Sequence, residues 1–141
     1  MTDTPPMTVA DIQSKLDASP FIRFLELTCN ELDAAAGTIT MTMPMRPELE
    51  RGAGSGQFHG GPIASFIDTV GDFAVVMQTR SGVPTINFRV DYLRPSTGSR
   101  LVGKALVRRV GRTVGVVDID VYDDQGRLTA IGRGCFGVMA G

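Results

Sequence analysis

From Pro62 to about Arg80, apolar residues recur at three- and four-residue steps. Ile63, Phe66, Ile67, Val70, Phe73, Ala74 and Met77 make one continuous stripe. No other segment holds that period for so long. Pro62 suits the first helical position, where a missing N–H costs nothing, and Ser81-Gly82 supplies the stop. Some 18 residues at 1.5 Å each predict a helix roughly 27 Å long. A helix this apolar must be covered along most of its length, so the remaining chain has to wrap it.

That remaining chain reads mainly as strand. The N-terminal extension, residues 1–20, carries a short helix from about Thr8 to Leu16, with Val9, Ile12 and Leu16 on one face, and Pro20 ends it. Two strands follow, about Arg23–Ala34 and Thr38–Met43, joined across Gly37 as a hairpin. Pro44 and Pro47 stop the second, and a Gly-rich loop runs from Arg51 to Gly56. After the helix, Ile86, Phe88, Val90 and Tyr92 alternate with polar residues. Leu101–Arg109 and Val114–Tyr122 are long and Val-rich. The turn Asp123-Asp124-Gln125-Gly126 then leads to a last strand over Arg127–Met139. There Ala130, Gly132 and Gly134 share a face, which implies close backbone approach.

Counting gives the architecture. One long apolar helix and five to six long antiparallel strands must bury each other. A ten-residue strand spans about 33 Å, enough to run alongside the helix and curl over it. The expected fold is α+β, a curved antiparallel sheet wrapped around one central helix: the hot-dog architecture, as one domain over residues 1–141. A single curved sheet leaves an edge strand open, and a second copy is one way to cover it. A homodimer or a dimer of dimers, a homotetramer, is therefore expected.

Composition narrows the function. A formal net charge of −1 argues against a general nucleic-acid binder, whose affinity comes from neutralising phosphates. No apolar run reaches the roughly 18 residues of a membrane span. The start, Met1 to Met7, has neither a basic end nor an apolar run, so no secretory signal is expected. The expectation is a soluble, cytoplasmic protein. Two cysteines, Cys29 and Cys135, and one histidine are too few for a structural zinc site; reduced, buried thiols are the plainer reading, and no metal is expected.

Chemistry concentrates in the segment from Gln57 to Asp68. His59 stands at the helix entrance, and the N–H groups of Gly60 and Gly61 fall among the unpaired donors of the first turn. Those donors and the helix dipole favour negative charge, such as an oxyanion developing on an acyl carbonyl. Asp68 lies two turns inside an apolar helix, where a carboxylate must be paired, hydrated or functional. Partial burial would raise its pKa toward values useful to a general base. Asp72, one turn on, shares that face. The loop Gly52-Ala53-Gly54-Ser55-Gly56 fails the usual nucleotide-binding templates and reads as a mobile turn or a loop that brings backbone near a ligand. Arg108, Arg109 and Arg112, with Arg94 and Arg100 in another loop, read singly as solvated surface and together as positive potential for a phosphate-bearing carrier.

With these residues in hand, a resemblance emerges. His59-Gly60-Gly61, Asp68 nine positions after the histidine, and Asp91-Tyr92-Leu93-Arg94-Pro95 closing the next strand resemble the hot-dog acyl-CoA thioesterases, in particular the phenylacetic-acid-degradation type. Gly111-Arg112-Thr113 and the Asp-Gln-Gly turn also match, and the likeness covers nearly the whole chain. It implies hydrolysis of an acyl- or aroyl-CoA thioester with no cofactor beyond the coenzyme A of the substrate. It also implies active sites shared between two subunits. Asp68 takes the place of the family's general base or nucleophile, Gly60 that of its oxyanion donor, and Thr85 that of a hydroxyl that positions water. His59 supports the turn. Gly61, Gln57, Asp72, Arg109, Arg112 and Thr113 are expected to contact substrate. The family's Asn, six residues before the histidine, falls on Ala53; Gln57 or Ser55 would have to substitute. Two other readings keep the fold: a non-catalytic acyl-CoA-binding or sensing module, and an enoyl-thioester hydratase or dehydratase.

Overall fold

The computed structural model of the chain describes residues 4–139. Its N-terminal segment holds two helices, not one. Helix α1, Val9–Ala18, begins at a capping box in which the Thr8 hydroxyl accepts from the Asp11 N–H and the Asp11 carboxylate accepts from the Thr8 N–H. Ser19 ends α1 and caps the next helix, α2, Pro20–Leu25. The expected strand over residues 23–27 is therefore corrected. Pro20 does stop α1, but a proline after a serine also opens a helix, since Ser19 caps it and Pro20 needs no N–H there. Glu26, in the left-handed region at φ 56°, ends α2, and β1 starts only at Thr28.

The strands are β1 Thr28–Asp33, β2 Thr38–Pro44, β3 Thr85–Tyr92, β4 Arg100–Val110, β5 Val114–Tyr122 and β6 Leu128–Gly137. They form one sheet in the order β1-β2-β4-β5-β6-β3, with every neighbouring pair antiparallel. Helix α3, Gly60–Thr79, lies against its concave face. This is the expected hot-dog fold with six strands. Phe66, Ile67, Val70, Ala74 and Val75 are fully buried on the helix, against Leu101, Val117, Ile119, Val121 and Phe136 of the sheet.

Small residues let the helix ride close. A Cβ on Gly132 would stand 2.6 Å from Ile67 Cγ2, and one on Gly103 would stand 2.9 Å from the Phe66 ring. Gly134 differs from the expectation: its missing Cβ makes room for Phe136 of its own strand. Both edges matter, but β3 is the unusual one. Ile86, Phe88, Tyr92 and the following Leu93 are exposed on a strand with one unpaired side. Cys29 is a buried free thiol, pushed up to about 11 by burial, and Cys135 is free and half-buried. Among the described residues, no helix is long and apolar enough to cross a membrane.

Candidate active site

The first turn of α3 can be accounted for donor by donor. The His59 N–H donates to the Leu49 carbonyl at 2.8 Å. The Gly61 N–H donates to His59 Nδ1 at 2.9 Å, so the imidazole is the cap of the helix. Pro62 has no N–H. That leaves the Gly60 N–H, for which no acceptor is found among the described residues. A helix start with one amide left open is a directed anion site. As an acceptor at Nδ1, the ring carries its proton on Nε2. His59 is therefore occupied in holding the turn.

Farther along α3, Ile63, Phe66, Ile67 and Val70 face the sheet, while Gly61, Ala64, Ser65, Asp68 and Asp72 form a half-open strip. The Thr85 hydroxyl, at the first residue of β3, donates to Asp68 Oδ1 at 2.7 Å. One carboxylate oxygen is thus held and the other left free. The Asp72 carboxyl is pushed up to about 7, first by burial and then by the neighbouring Asp68 charge. Of the two acids, Asp68 has the hydroxyl partner and Asp72 is the one whose carboxyl burial holds protonated toward neutral pH.

Gly60 and Asp68 do not converge within one chain. They lie eight positions apart on one helix, an axial distance of about 12 Å. Gly60 instead borders a cleft of about 370 Å³ with Ile63, Tyr92, Gln57, Arg51 and Arg94. Gln57 therefore reaches the Gly60 neighbourhood. Ser55 does not, because its hydroxyl accepts from the Gln57 N–H inside the loop. Ala53 is exposed.

The Gly-rich loop has a definite organiser. The Glu50 carboxylate accepts from the Gly54 N–H at 3.3 Å and the Gly56 N–H at 2.7 Å, with both glycines at positive φ. Its amides are occupied by an internal anion, so the loop is a tied turn. Sequence reasoning missed Glu50, whose only signal was an acid directly before a run of glycines.

It also missed Tyr92 as anything but a family motif residue, although its hydroxyl donates to the Gly60 carbonyl at 2.7 Å. Arg109, Arg112 and Thr113 are exposed around the β4–β5 turn. Thr113 accepts from the Val138 N–H, which places this turn at the end of the sheet where β3 begins, but two strands away, about 10 Å. A larger trough of about 1120 Å³ lies on the sheet face away from α3. The charges at its centre are paired with each other: Arg133 and Arg108 both reach Asp118.

A six-stranded antiparallel sheet around one long helix, with an open amide at the helix start and a hydroxyl-bonded acid two turns on, defines a hot-dog protein. A family model described as the thioesterase superfamily matches residues 55–130. The chain belongs to the thioesterase superfamily, and with it to the thioester hydrolases. It is 38 % identical over 139 residues to the Halobacterium salinarum protein VNG_1336C, spanning 91 % of this chain and 90 % of that one. It is 32 % identical over 99 residues to the acyl-coenzyme A thioesterase PaaI of Escherichia coli, spanning 70 % of this chain and 69 % of that protein. Among solved structures, the thioesterase HI1161 of Haemophilus influenzae superposes with a TM-score of 0.84, over 96 % of this chain and 92 % of that one. At 20 % identity that likeness concerns the fold.

Proposed function

We propose that the protein hydrolyses acyl- or aroyl-CoA thioesters at sites shared between two copies of the chain. The observation that carries this reading is the Thr85–Asp68 hydrogen bond on a helix whose first-turn Gly60 N–H is open. The thioester carbonyl oxygen accepts from the Gly60 N–H, which stabilises charge as it develops. The Asp68 oxygen not bonded to Thr85 takes a proton from water, and that water attacks the carbonyl carbon. The tetrahedral adduct collapses, the C–S bond breaks, and the coenzyme A thiolate leaves. Direct attack by the Asp68 carboxylate is the variant, through an anhydride that water then opens.

The axial distance of about 12 Å between Gly60 and Asp68 along one helix supports a donor and a base drawn from different subunits. Edge strand β3 supplies a way. It carries Thr85, bonded to Asp68, at one end and Tyr92, bonded to Gly60, at the other. Antiparallel pairing of β3 with its copy, Thr85 standing opposite the partner subunit's Tyr92, brings the base of one subunit beside the donor of the other. The same pairing covers Ile86 and Phe88. Arg109, Arg112 and Thr113 supply positive charge and a hydroxyl for the coenzyme A phosphates.

Thiol release measured across short, medium, long and aromatic acyl-CoAs tests the function. Wild-type protein is expected to turn over at least one class, and Asp68→Asn to lower kcat by about 10²–10⁴ while keeping its fold. A wild-type kcat in that variant would remove Asp68 from the chemistry. Ala53 favours a second reading, an acyl-CoA-binding module without turnover, because an alanine there cannot hold water or carbonyl. Calorimetry showing tight binding of acyl-CoA with no thiol released would decide for it.

A further inference from the structure

The Gly60–Gly61 peptide is held at both ends by side chains. Its carbonyl oxygen accepts from the Tyr92 hydroxyl at 2.7 Å, and its N–H donates to His59 Nδ1 at 2.9 Å. Both residues of that peptide are glycines, whose backbone torsions are the least restricted in the chain. Helical hydrogen bonding alone does not fix the plane of a first-turn peptide, because its N–H has no partner one turn back. The two side chains remove that freedom.

Packing reinforces the grip. A Cβ on Gly60 would stand 3.3 Å from Tyr92 Oη and 3.4 Å from Cζ, and one on Gly61 would stand 3.2 Å from His59 Nδ1. The phenol therefore lies flush against Gly60, at a distance that glycine permits easily. Tyr92 is 52 % exposed, so core packing does not explain its place. Its ring borders the same cleft as Gly60. On the upstream side, the His59 N–H is tied to Leu49. The backbone N–H groups on either side of Gly60 are engaged, and no acceptor is found for the Gly60 N–H among the described residues.

We propose that Tyr92 is a positioning residue for the oxyanion donor, its hydroxyl clamping the Gly60–Gly61 peptide and so restraining the Gly60 torsions through which the adjoining His59–Gly60 peptide keeps the Gly60 N–H aimed at the thioester carbonyl. This role rests on the thioesterase reading above. It assigns the tyrosine no proton transfer. Tyr92 acts before the reaction, by limiting rotation about the two Gly60 backbone bonds that join the clamped peptide to the one carrying the donor N–H. Because Tyr92 ends the strand that Thr85 begins, β3 orients both halves of the site.

Tyr92→Phe removes the hydroxyl and keeps the ring. The expected result is a kcat lowered by about tenfold with KM within about twofold, since the interaction lost serves the transition state more than the bound substrate. Light scattering and the melting temperature should stay as in wild type. A second readout is the infrared stretch of a ¹³C-labelled ketone analogue of the acyl-CoA, with a methylene replacing the sulfur. Its carbonyl should be polarised in wild type and less so in Tyr92→Phe. An active wild type with an equally active variant and an unchanged carbonyl stretch would overturn the role of Tyr92 alone. A parallel loss in kcat, KM and melting temperature would also overturn it, as a structural effect. A wild type inactive on every thioester would overturn the hydrolytic reading and this role together.

Discussion

The Thr85 hydroxyl and the Asp68 carboxylate, 17 positions apart in the chain, meet at 2.7 Å. The bond fixes one carboxylate oxygen to the edge strand and leaves its twin free on the open side of α3. Thr85→Val keeps the shape of the side chain and deletes the donor. Its kcat for thioester hydrolysis is expected to fall by about tenfold, the worth of one hydrogen bond to a charged group. Thr85→Ser should recover most of that loss, and steady-state thiol release measures both.

Shared sites can be tested by mixing two inactive proteins. Asp68→Asn lacks the proposed base, and Gly60→Pro lacks the proposed donor N–H while keeping a residue suited to a helix start. If each site takes Gly60 from one subunit and Asp68 from the other, a mixed dimer regains one intact site. Random mixing should then restore about a quarter of wild-type activity. Mixtures no more active than their components would show that each chain works alone.

Asp72 makes stability depend on pH in a direction opposite to most carboxylates. Its carboxyl is pushed up to about 7, so between its ordinary value of 3.8 and that point the folded protein keeps a proton the unfolded chain releases. The stability tied to Asp72 is therefore full below the ordinary value and is lost as pH rises through about 7. Asp118 and Asp123, held low by Arg133 and by backbone donors, act in the opposite sense and only in acid. The melting temperature of Asp72→Asn should fall less than that of wild type between pH 5 and pH 8, by about the titration of one group. Parallel curves would refute the shift.

Helix-to-sheet packing has no room at Gly132. A Cβ there meets Ile67 at 2.6 Å and the Arg89 carbonyl at 3.0 Å. The backbone oxygen cannot rotate away as a side chain can. Gly132→Ala is expected to destabilise the fold by about 1–3 kcal/mol. Chemical denaturation with an unchanged m-value would register the loss.

Much of this was legible in the order of residues, for reasons that are local. The 3.6-residue period of Ile63 to Met77 and the two-residue period of β3 are direct consequences of how each backbone points its side chains. Gly132 was legible as a place of close approach because only packing explains a glycine in a strand. The start of β1 was not, since Ser19-Pro20 reads equally as a stop and as a start. Whether α2 forms depends on the left-handed turn at Glu26, where nothing in the sequence favours positive φ. The loop over Ala53 read as mobile because the carboxylate that ties it, Glu50, lies outside the glycine run.

By itself, then, the sequence determined that one apolar helix must be wrapped by strands, that an acid sits on that helix, and that a histidine and two glycines open it. Each of these depends only on spacing along the chain. Tertiary structure decided their uses. It gave the histidine to the helix as a cap, left the Gly60 N–H open, set Thr85 on Asp68 and brought Tyr92 across 32 positions to the Gly60 carbonyl. The contacts of Thr85 and Tyr92 join segments remote in sequence, fixed by which strand lies at the sheet edge, and no local period encodes them.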